Sequence, residues 1–446
     1  MTPLVTIHGF CFAQRYDRSR LSLKEITNVQ YVSCMNPTAG SFTINPRLQR
    51  HFCVFALSNP DQDALARIYS TILVQHLTSG NFSEAVQKSA QQLIALALGL
   101  HRRVAATFLP TAVKFHYVFN LRDFSNIFQG LLFSTPECLK EPQDLLKLYL
   151  HESSRVYRDK MVEANDYSTF DKIQREMVKK FYDDVEETLE QTKHMNIFCH
   201  FAKGSGEPAY RPVPTWEQLN QILVEALDNY NEVNAAMNLV LFEDAMCHVC
   251  RINRILESPR GNALLVGVGG SGKQSLTRLA AFLSSLEVFQ ITLRKGYGIP
   301  DLKADLANLY LKAGVKNTGT VFLLTDVQVV DEQFLVLVND FLASGEIPDL
   351  FPDEEVENII NSVRNEVKGQ GLMGSRETCW KFFTERARRQ LKVALCFSPV
   401  GSKLRVRSRR FPALVSCTTI DWFQEWPREA LESVSLCFLR DMGAVE

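Results

Sequence analysis

Glycines at 267, 269, 270 and 272, followed at once by Lys273, give this 446-residue chain its clearest chemical signal: Gly267-Val268-Gly269-Gly270-Ser271-Gly272-Lys273-Gln274-Ser275. An apolar run, 263–266, precedes the loop, and Leu276, Leu279, Ala280 and Leu283 follow at helical spacing. Strand, glycine-rich turn and helix start are the order that a phosphate-binding loop requires. Glycines let backbone N–H groups turn inward around phosphate oxygens. The next helix points its positive end at the same anion, and Lys273 is placed to reach the terminal phosphates. One residue departs from the pattern. Gln274 stands where Ser or Thr would hold Mg²⁺, and Ser275 comes one position late.

Further candidates sit at the ends of apolar runs. Asp326 follows 321–325, where such proteins place a carboxylate that holds magnesium directly or through water; a plain strand-end turn is the blander alternative. Val327 follows it and cannot orient an attacking water, which leaves Gln328 or Glu332 to act from a different angle. Asn36 and Ser398 each end a strand just before a proline. They are placed either to sense a γ-phosphate or to make an Asx or Ser turn. Arg50 and Arg409 precede apolar runs, on expected loops. They read as arginine fingers or as surface charge, since 405–410 holds four arginines. No aromatics interleave with that basic run, so nucleic acid is not favoured. Cys247-His-Val-Cys250 has no second pair nearby and sits in a helical pattern, so it reads as thiols rather than a metal site.

The surroundings that must position these groups are those of a globular α/β protein. The chain is 46% apolar and 22% charged, and its length predicts two or three domains. A net charge of −1 offers no pull toward nucleic acid or an acidic membrane. No apolar run reaches the ~20 residues of a membrane span, and the N-terminus lacks the order of a signal peptide. The 11 cysteines lie mostly in apolar runs, as buried thiols do.

In order, residues 1–14 have no clear period and are expected to be a poorly ordered leader. Strands are expected at 29–35 and 53–57, then helices over most of 61–195, with 169–191 a charged, solvated bridging helix. Residues 203–214, rich in Gly and Pro, form the expected linker. After helical 216–256 and the glycine loop, strands at 288–292, 321–325, 391–397 and 413–417 alternate with helices, which predicts a parallel sheet flanked by helices. Cys34-Met-Asn36-Pro37 and Arg50-His-Phe52 are echoed by Cys396-Phe-Ser398-Pro399 and Arg409-Arg-Phe411, so the chain carries two copies of one unit.

These stretches resemble a known family. The glycine loop, Phe322-Leu-Leu-Thr-Asp326, Asn339-Asp-Phe-Leu-Ala-Ser-Gly-Glu-Ile-Pro348, Phe411-Pro-Ala-Leu414 and Ile420-Asp-Trp-Phe-Gln-Glu-Trp-Pro427 resemble the fourth AAA+ module of dynein heavy chains, the axonemal members above all. Cys34-Met-Asn-Pro-Thr and Ile44-Asn-Pro-Arg-Leu-Gln-Arg-His-Phe52 resemble the back half of the third module. His116-Tyr-Val-Phe-Asn-Leu-Arg-Asp123 and His151-Glu-Ser-Ser-Arg155-Val-Tyr resemble its helical lid. The likeness covers about residues 16–436.

The resemblance implies a P-loop AAA+ α/β fold in two incomplete tandem modules, with an all-helical lid. The expected divisions are a leader at 1–14, the first large subdomain's end at 15–60, lid and bridging helix at 61–200, linker at 201–215, second large subdomain at 216–436 and tail at 437–446. Lys273 would be the Walker A lysine, Asp326 the Walker B aspartate and Mg²⁺ ligand, and Asn36 and Ser398 the sensor-one residues. Arg122, with Arg155 a weaker candidate, would be the lid's sensor-two arginine, and Arg50 and Arg409 fingers into the preceding module. ATP or ADP with Mg²⁺ would be the cofactor. The partners would be other AAA+ modules and dynein chains, in the cytoplasm and the axonemal cytoskeleton of a cilium, with no nucleic acid or membrane. Microtubule contact would lie outside these residues. In the family the first module is the main hydrolysis site, and the third and fourth are regulatory. Turnover by this chain alone is expected to be very slow or absent, since lack of an arginine finger alone costs ~10³–10⁵ in rate. The alternative is a scaffold or interaction role with little nucleotide binding.

Overall fold

A computed structural model describes residues 2–6, 13–16, 22–26, 30–34, 44–183, 185–204 and 208–441. The chain divides into two units, Met1–Thr71 and Ile72–Glu446. The first holds β1 (Thr2–Thr6), β2 (Ala13–Tyr16), β3 (Leu23–Ile26), β4 (Val32–Cys34), the short α1 (Pro46–Gln49) and β5 (Cys53–Leu57). β1 lies between β4 and β5 and is antiparallel to both; β2 and β3 form a separate antiparallel pair. Residues 2–6, expected in a poorly ordered leader, are therefore a strand. They are a short run rich in Thr, Val and Leu, which suits a pleated backbone. α1 starts on Asn45, whose side chain accepts the Arg47 N–H at 2.9 Å, with Pro46 in the first turn. Asn36 lies outside the described residues. α2 (Gln62–Ser79) runs across the division.

The second unit opens with α3 (Glu84–Thr107), α4 (Leu121–Leu131), α5 (Pro142–Ser153), a π-helical turn at Ser154–Arg158, α6 (Ala164–Phe181) and α7 (Glu186–His194). α4 shows why such segments fold. Asn120 and Asp123 make a capping box, and Phe124, Ile127, Phe128 and Leu131 are buried along one stripe. The charged stretch expected to be one solvated bridging helix is two helices, and α6 packs on α3. Phe170, Ile173, Met177 and Val178 recur at helical spacing and are buried, a narrow stripe that suffices amid many charges.

β6 (Ile197–Cys199) and β7 (Arg211–Val213) then pair antiparallel, so the expected linker is in part a hairpin. After it come α8 (Trp216–Val233), α9 (Glu243–Glu257), β8 (Ala263–Val266), α10 (Lys273–Leu283), β9 (Glu287–Gln290), α11 (Ile299–Gly314) and β10 (Thr320–Thr325). The remainder is α12 (Gln333–Ser344), α13 (Asp353–Gly369), α14 (Arg376–Gln390), β11 (Leu391–Phe397), α15 (Lys403–Arg410), α16 (Ala413–Ser416), β12 (Thr419–Trp422) and α17 (Arg428–Asp441). The expected strand at 413–417 is thus mostly α16. Five residues hold too little periodicity to separate helix from strand.

Five strands form one parallel sheet in the order β12-β8-β11-β10-β9. Side chains alternate across it. Leu264, Val266, Phe322, Leu324, Val393, Leu395 and Phe397 pack into one core with residues of α11, α12 and α14. Ala263, Leu265, Val321, Leu323, Ala394 and Cys396 pack into the other with residues of α8, α9 and α10. Both faces are covered, which is why these strands read as continuous apolar runs.

Two buried ionic clusters tie the helical bundle to the sheet layers. Arg254 of α9 donates from Nη2 to Glu152 Oε2 of α5 at 2.8 Å and from Nε to Oε1 at 3.2 Å, and the Tyr210 hydroxyl also donates to Glu152. The guanidinium lies over the rings of Phe133 and Tyr210. In the second cluster Arg251 pairs with Asp159 of the bundle at 3.3 Å and with Asp421 of β12 at 3.2 Å. His248 Nδ1 meets Asp421 Oδ2 at 2.7 Å, and the Trp422 N–H donates to the Asp159 carbonyl at 3.0 Å.

Three buried histidines carry a pH signature. Burial brings His116 and His200 down to about 4 and His151 down to about 3. His116 Nε2 donates to the Lys160 carbonyl at 2.8 Å while its Nδ1 has no hydrogen-bond partner among the described residues. The unfolded chain binds protons at these groups first, so their contribution is complete above ~6.5 and is lost as pH falls from there toward 4. Melting temperature followed from pH 7.5 down to 4.5 is expected to fall most steeply below ~6.5, and His116→Gln to flatten that slope.

Candidate phosphate-binding site

Parallel register sets the site. Val266 pairs with Phe397 and Thr325 with Cys396, so Gly267, Asp326 and Ser398 leave neighbouring strands at one carboxyl edge of the sheet. Ligands of open α/β sheets bind at such edges. The loop that leaves β8 turns through Gly270 and Gly272, both at φ +80°. An L side chain is strained there, which accounts for glycine at these positions. Gly267 is glycine for a different reason. A Cβ on it would lie 2.6 Å from the Phe423 Cβ and 3.0 Å from Ser271 Oγ. Phe423 is fixed in turn by stacking on His248, with ring centroids 3.8 Å apart and planes within 3°.

Lys273 opens α10 and folds over the loop. Its Nζ donates to the Gly267 carbonyl at 2.7 Å, the Val268 carbonyl at 2.6 Å and Ser271 Oγ at 3.0 Å. Ser271 Oγ donates to the Val268 carbonyl at 2.9 Å. Burial lowers the Lys273 ammonium below its ordinary value against the opposing pull of Cys396 and Asp326. Burial likewise pushes the Cys396 thiol up to about 12, so it stays neutral beside the lysine. Gln274 turns to the edge strand, where its Oε1 accepts from Gln290 Nε2 at 3.1 Å. Ser275 is half-buried on the first turn of α10.

Asp326 is held on both oxygens. Oδ2 accepts the Ser398 N–H and Oδ1 accepts from Arg407 Nη1, each at 2.6 Å. Arg407 also donates from Nε to Glu332 Oε1 at 2.9 Å and lies over the Phe397 ring. Ser398 Oγ caps its own turn by accepting the Val400 N–H at 3.3 Å.

The candidates for orienting water do not stand free. Gln328 is buried and points inward, donating to the Ile291 carbonyl at 2.6 Å and accepting the Thr325 N–H at 3.0 Å. Glu332 is paired with Arg407. Val327 projects outward, 82% exposed. The sequence expectation that Gln328 or Glu332 would position water is corrected on that account.

The structure brings Lys273, Asp326 and Ser398 together. Arg409 is exposed on α15, and Arg122 is exposed at the start of α4, where its N–H is capped by Asn120 at 2.8 Å. Among the described residues neither is bonded to the loop. Arg155 pairs with Asp159 at 3.0 Å. In the first unit, Arg50 is exposed at the end of α1 and donates to His51 Nε2 at 3.3 Å. Arg407 is the residue that sequence reasoning missed. Its signal is helical spacing: Leu404, Arg407 and Phe411 all face inward, a phase that the basic run 405–410 hides.

Counting β8 as the first of the five strands, the sheet runs 5-1-4-3-2, with the glycine loop after the first strand and the carboxylate after the third. That arrangement defines a P-loop AAA+ domain. Residues 237–446 match the family model described as "P-loop containing dynein motor region D4", 93–192 match "AAA+ lid domain" and 10–60 match "P-loop containing dynein motor region". Dynein axonemal heavy chain 9 of Homo sapiens is 72% identical over 97% of this chain and 10% of its own length. A ciliary dynein beta chain of Tripneustes gratilla is 68% identical over 96% of this chain and 10% of its own. A flagellar outer-arm dynein alpha chain of Chlamydomonas reinhardtii is 49% identical over 97% of this chain and 10% of its own. The chain belongs to the axonemal dynein heavy chains. It spans about a tenth of the length of the curated relatives it matches.

Proposed function

We propose that this chain binds ATP or ADP at Gly267–Lys273 as part of a ciliary motor that works on microtubules, and that the site regulates that motor rather than driving it. The observation that carries the reading is the loop itself. Two left-handed glycines and the start of α10 form a cradle of N–H donors with Lys273 beside it. Ser398 stands next to Asp326, where a hydroxyl can sense a terminal phosphate. Arg50 and Arg409, both exposed, would serve as fingers toward neighbouring modules, and Arg122 would serve as the lid's sensor arginine. The partners would be other AAA+ modules and dynein chains, and the place of work the axoneme. Among the described residues no helix is long and apolar enough to cross a membrane.

The regulatory reading rests on what surrounds Asp326. With Val327 facing solvent and Gln328 and Glu332 engaged, no side chain beside the carboxylate, among the described residues, is placed to orient a water for attack. Mg²⁺ does not fit this arrangement, because Asp326 is held on both oxygens and Gln274 bonds Gln290. Calorimetry on the purified chain should show ADP and ATP binding in the micromolar range. Steady phosphate release should stay below ~0.01 per second, far under the median enzyme rate. A folded chain that binds neither nucleotide would leave the interaction role in place of this one, and steady turnover near ~1 per second would remove the regulatory reading.

A further inference from the structure

Two cations already occupy the site, and both belong to the protein. One is Lys273 on the loop. The other is Arg407, whose side chain is 6% exposed and whose guanidinium bridges Asp326 and Glu332 while lying over Phe397. We propose that Arg407 takes the metal's place at Asp326, so that adenine nucleotide binds this site with little dependence on Mg²⁺. The inference rests on the nucleotide-site reading above and extends it to the ion requirement.

The argument is one of charge and geometry. Magnesium demands near-octahedral oxygen ligands at ~2.0–2.1 Å and gives up its waters reluctantly. The protein would normally offer it a hydroxyl after the lysine and the carboxylate at the end of β10. The first is here the amide of Gln274, whose oxygen faces Gln290. The second is neutralised by Arg407 at 2.6 Å and fixed from its other oxygen by the Ser398 N–H. A buried guanidinium so placed repels a divalent cation and satisfies the carboxylate that would attract it. The planar fork is also suited to phosphate oxygens, so positive charge remains at the site without the metal. The pair is not a loose surface contact. Arg407 holds a second carboxylate through Nε, and the Phe411 N–H donates to its own carbonyl at 2.7 Å.

The test compares ADP binding to the 446-residue chain with millimolar Mg²⁺ and with EDTA in its place. The wild-type dissociation constants should differ by less than about threefold, or ~0.7 kcal/mol. Arg407→Ala frees Asp326, and its affinity should come to depend on Mg²⁺ by tenfold or more. Glu332→Gln, which leaves the Asp326 pair in place, should keep the wild-type ratio. Tenfold tighter binding by wild type in Mg²⁺ would overturn the inference with no variant needed, as would an Arg407→Ala chain that folds, binds ADP and remains indifferent to the metal. Absence of ADP binding in both buffers would instead remove the nucleotide-site reading, and this inference with it.

Discussion

Lys273→Ala is expected to weaken nucleotide binding by about 2–3 kcal/mol, roughly 30- to 150-fold in Kd, while the chain's melting temperature moves by less than ~2 °C. The ammonium now rests on two carbonyls and a hydroxyl of its own loop. Those acceptors are neutral, whereas a phosphate is charged and makes the stronger bond, so the lysine exchanges one set for the other at a net gain. Alanine forfeits that gain. The stability cost is small because the Gly267 N–H remains bonded to the Phe397 carbonyl at 3.1 Å and Leu276 continues to anchor α10. Calorimetry beside a thermal melt separates the two effects. A large fall in melting temperature would mean that the lysine serves the loop's own fold instead.

Arg254→Ala should destabilise the second unit by about 3–5 kcal/mol and lower its unfolding midpoint by roughly 5–10 °C. Glu152 is completely buried, and Arg254 donates two hydrogen bonds to it. Removing the arginine leaves a carboxylate in the interior with the Tyr210 hydroxyl as its remaining donor. Burial alone would raise the Glu152 carboxyl, but the Arg254 charge and the hydrogen bonds from Arg254 and Tyr210 outweigh it and hold it below its ordinary value. The sign follows from that direction. The pair's contribution is complete above the unfolded carboxyl's ~4.3 and is lost as pH falls below it. Adding Glu152→Leu to Arg254→Met should recover at least half of the loss, because an apolar pair carries no uncompensated charge. If the double variant is as unstable as Arg254→Ala, packing rather than charge sets the cost.

The parts of this fold that the sequence made legible are those with a fully buried, continuous pattern. β11 runs over its expected 391–397, and β10, α10 and the loop lie where apolar runs and glycines put them. Asp326 and Ser398 were readable because each sits at the end of such a run, and Lys273 because it closes the glycine loop. What escaped reading was carried by a few residues. Four apolar side chains spaced along α6 outweighed its many charges, and α16 was too short to show a period. Arg407 was hidden by its neighbours, since nothing in composition distinguishes one arginine of four. Only the phase set by Leu404 and Phe411 turns it inward.

Phe423 fills the space that a side chain on Gly267 would need, so the loop cannot relax toward β12. Asp421 and Trp422, the two residues before it, are bonded to Arg251, to His248 and to the Asp159 carbonyl over 2.7–3.2 Å. A displacement of the helical bundle therefore has a continuous route to the loop, through these bonds and covalent neighbours. The loop proposed to touch phosphate is thereby coupled mechanically to the helices that pack beside the sheet.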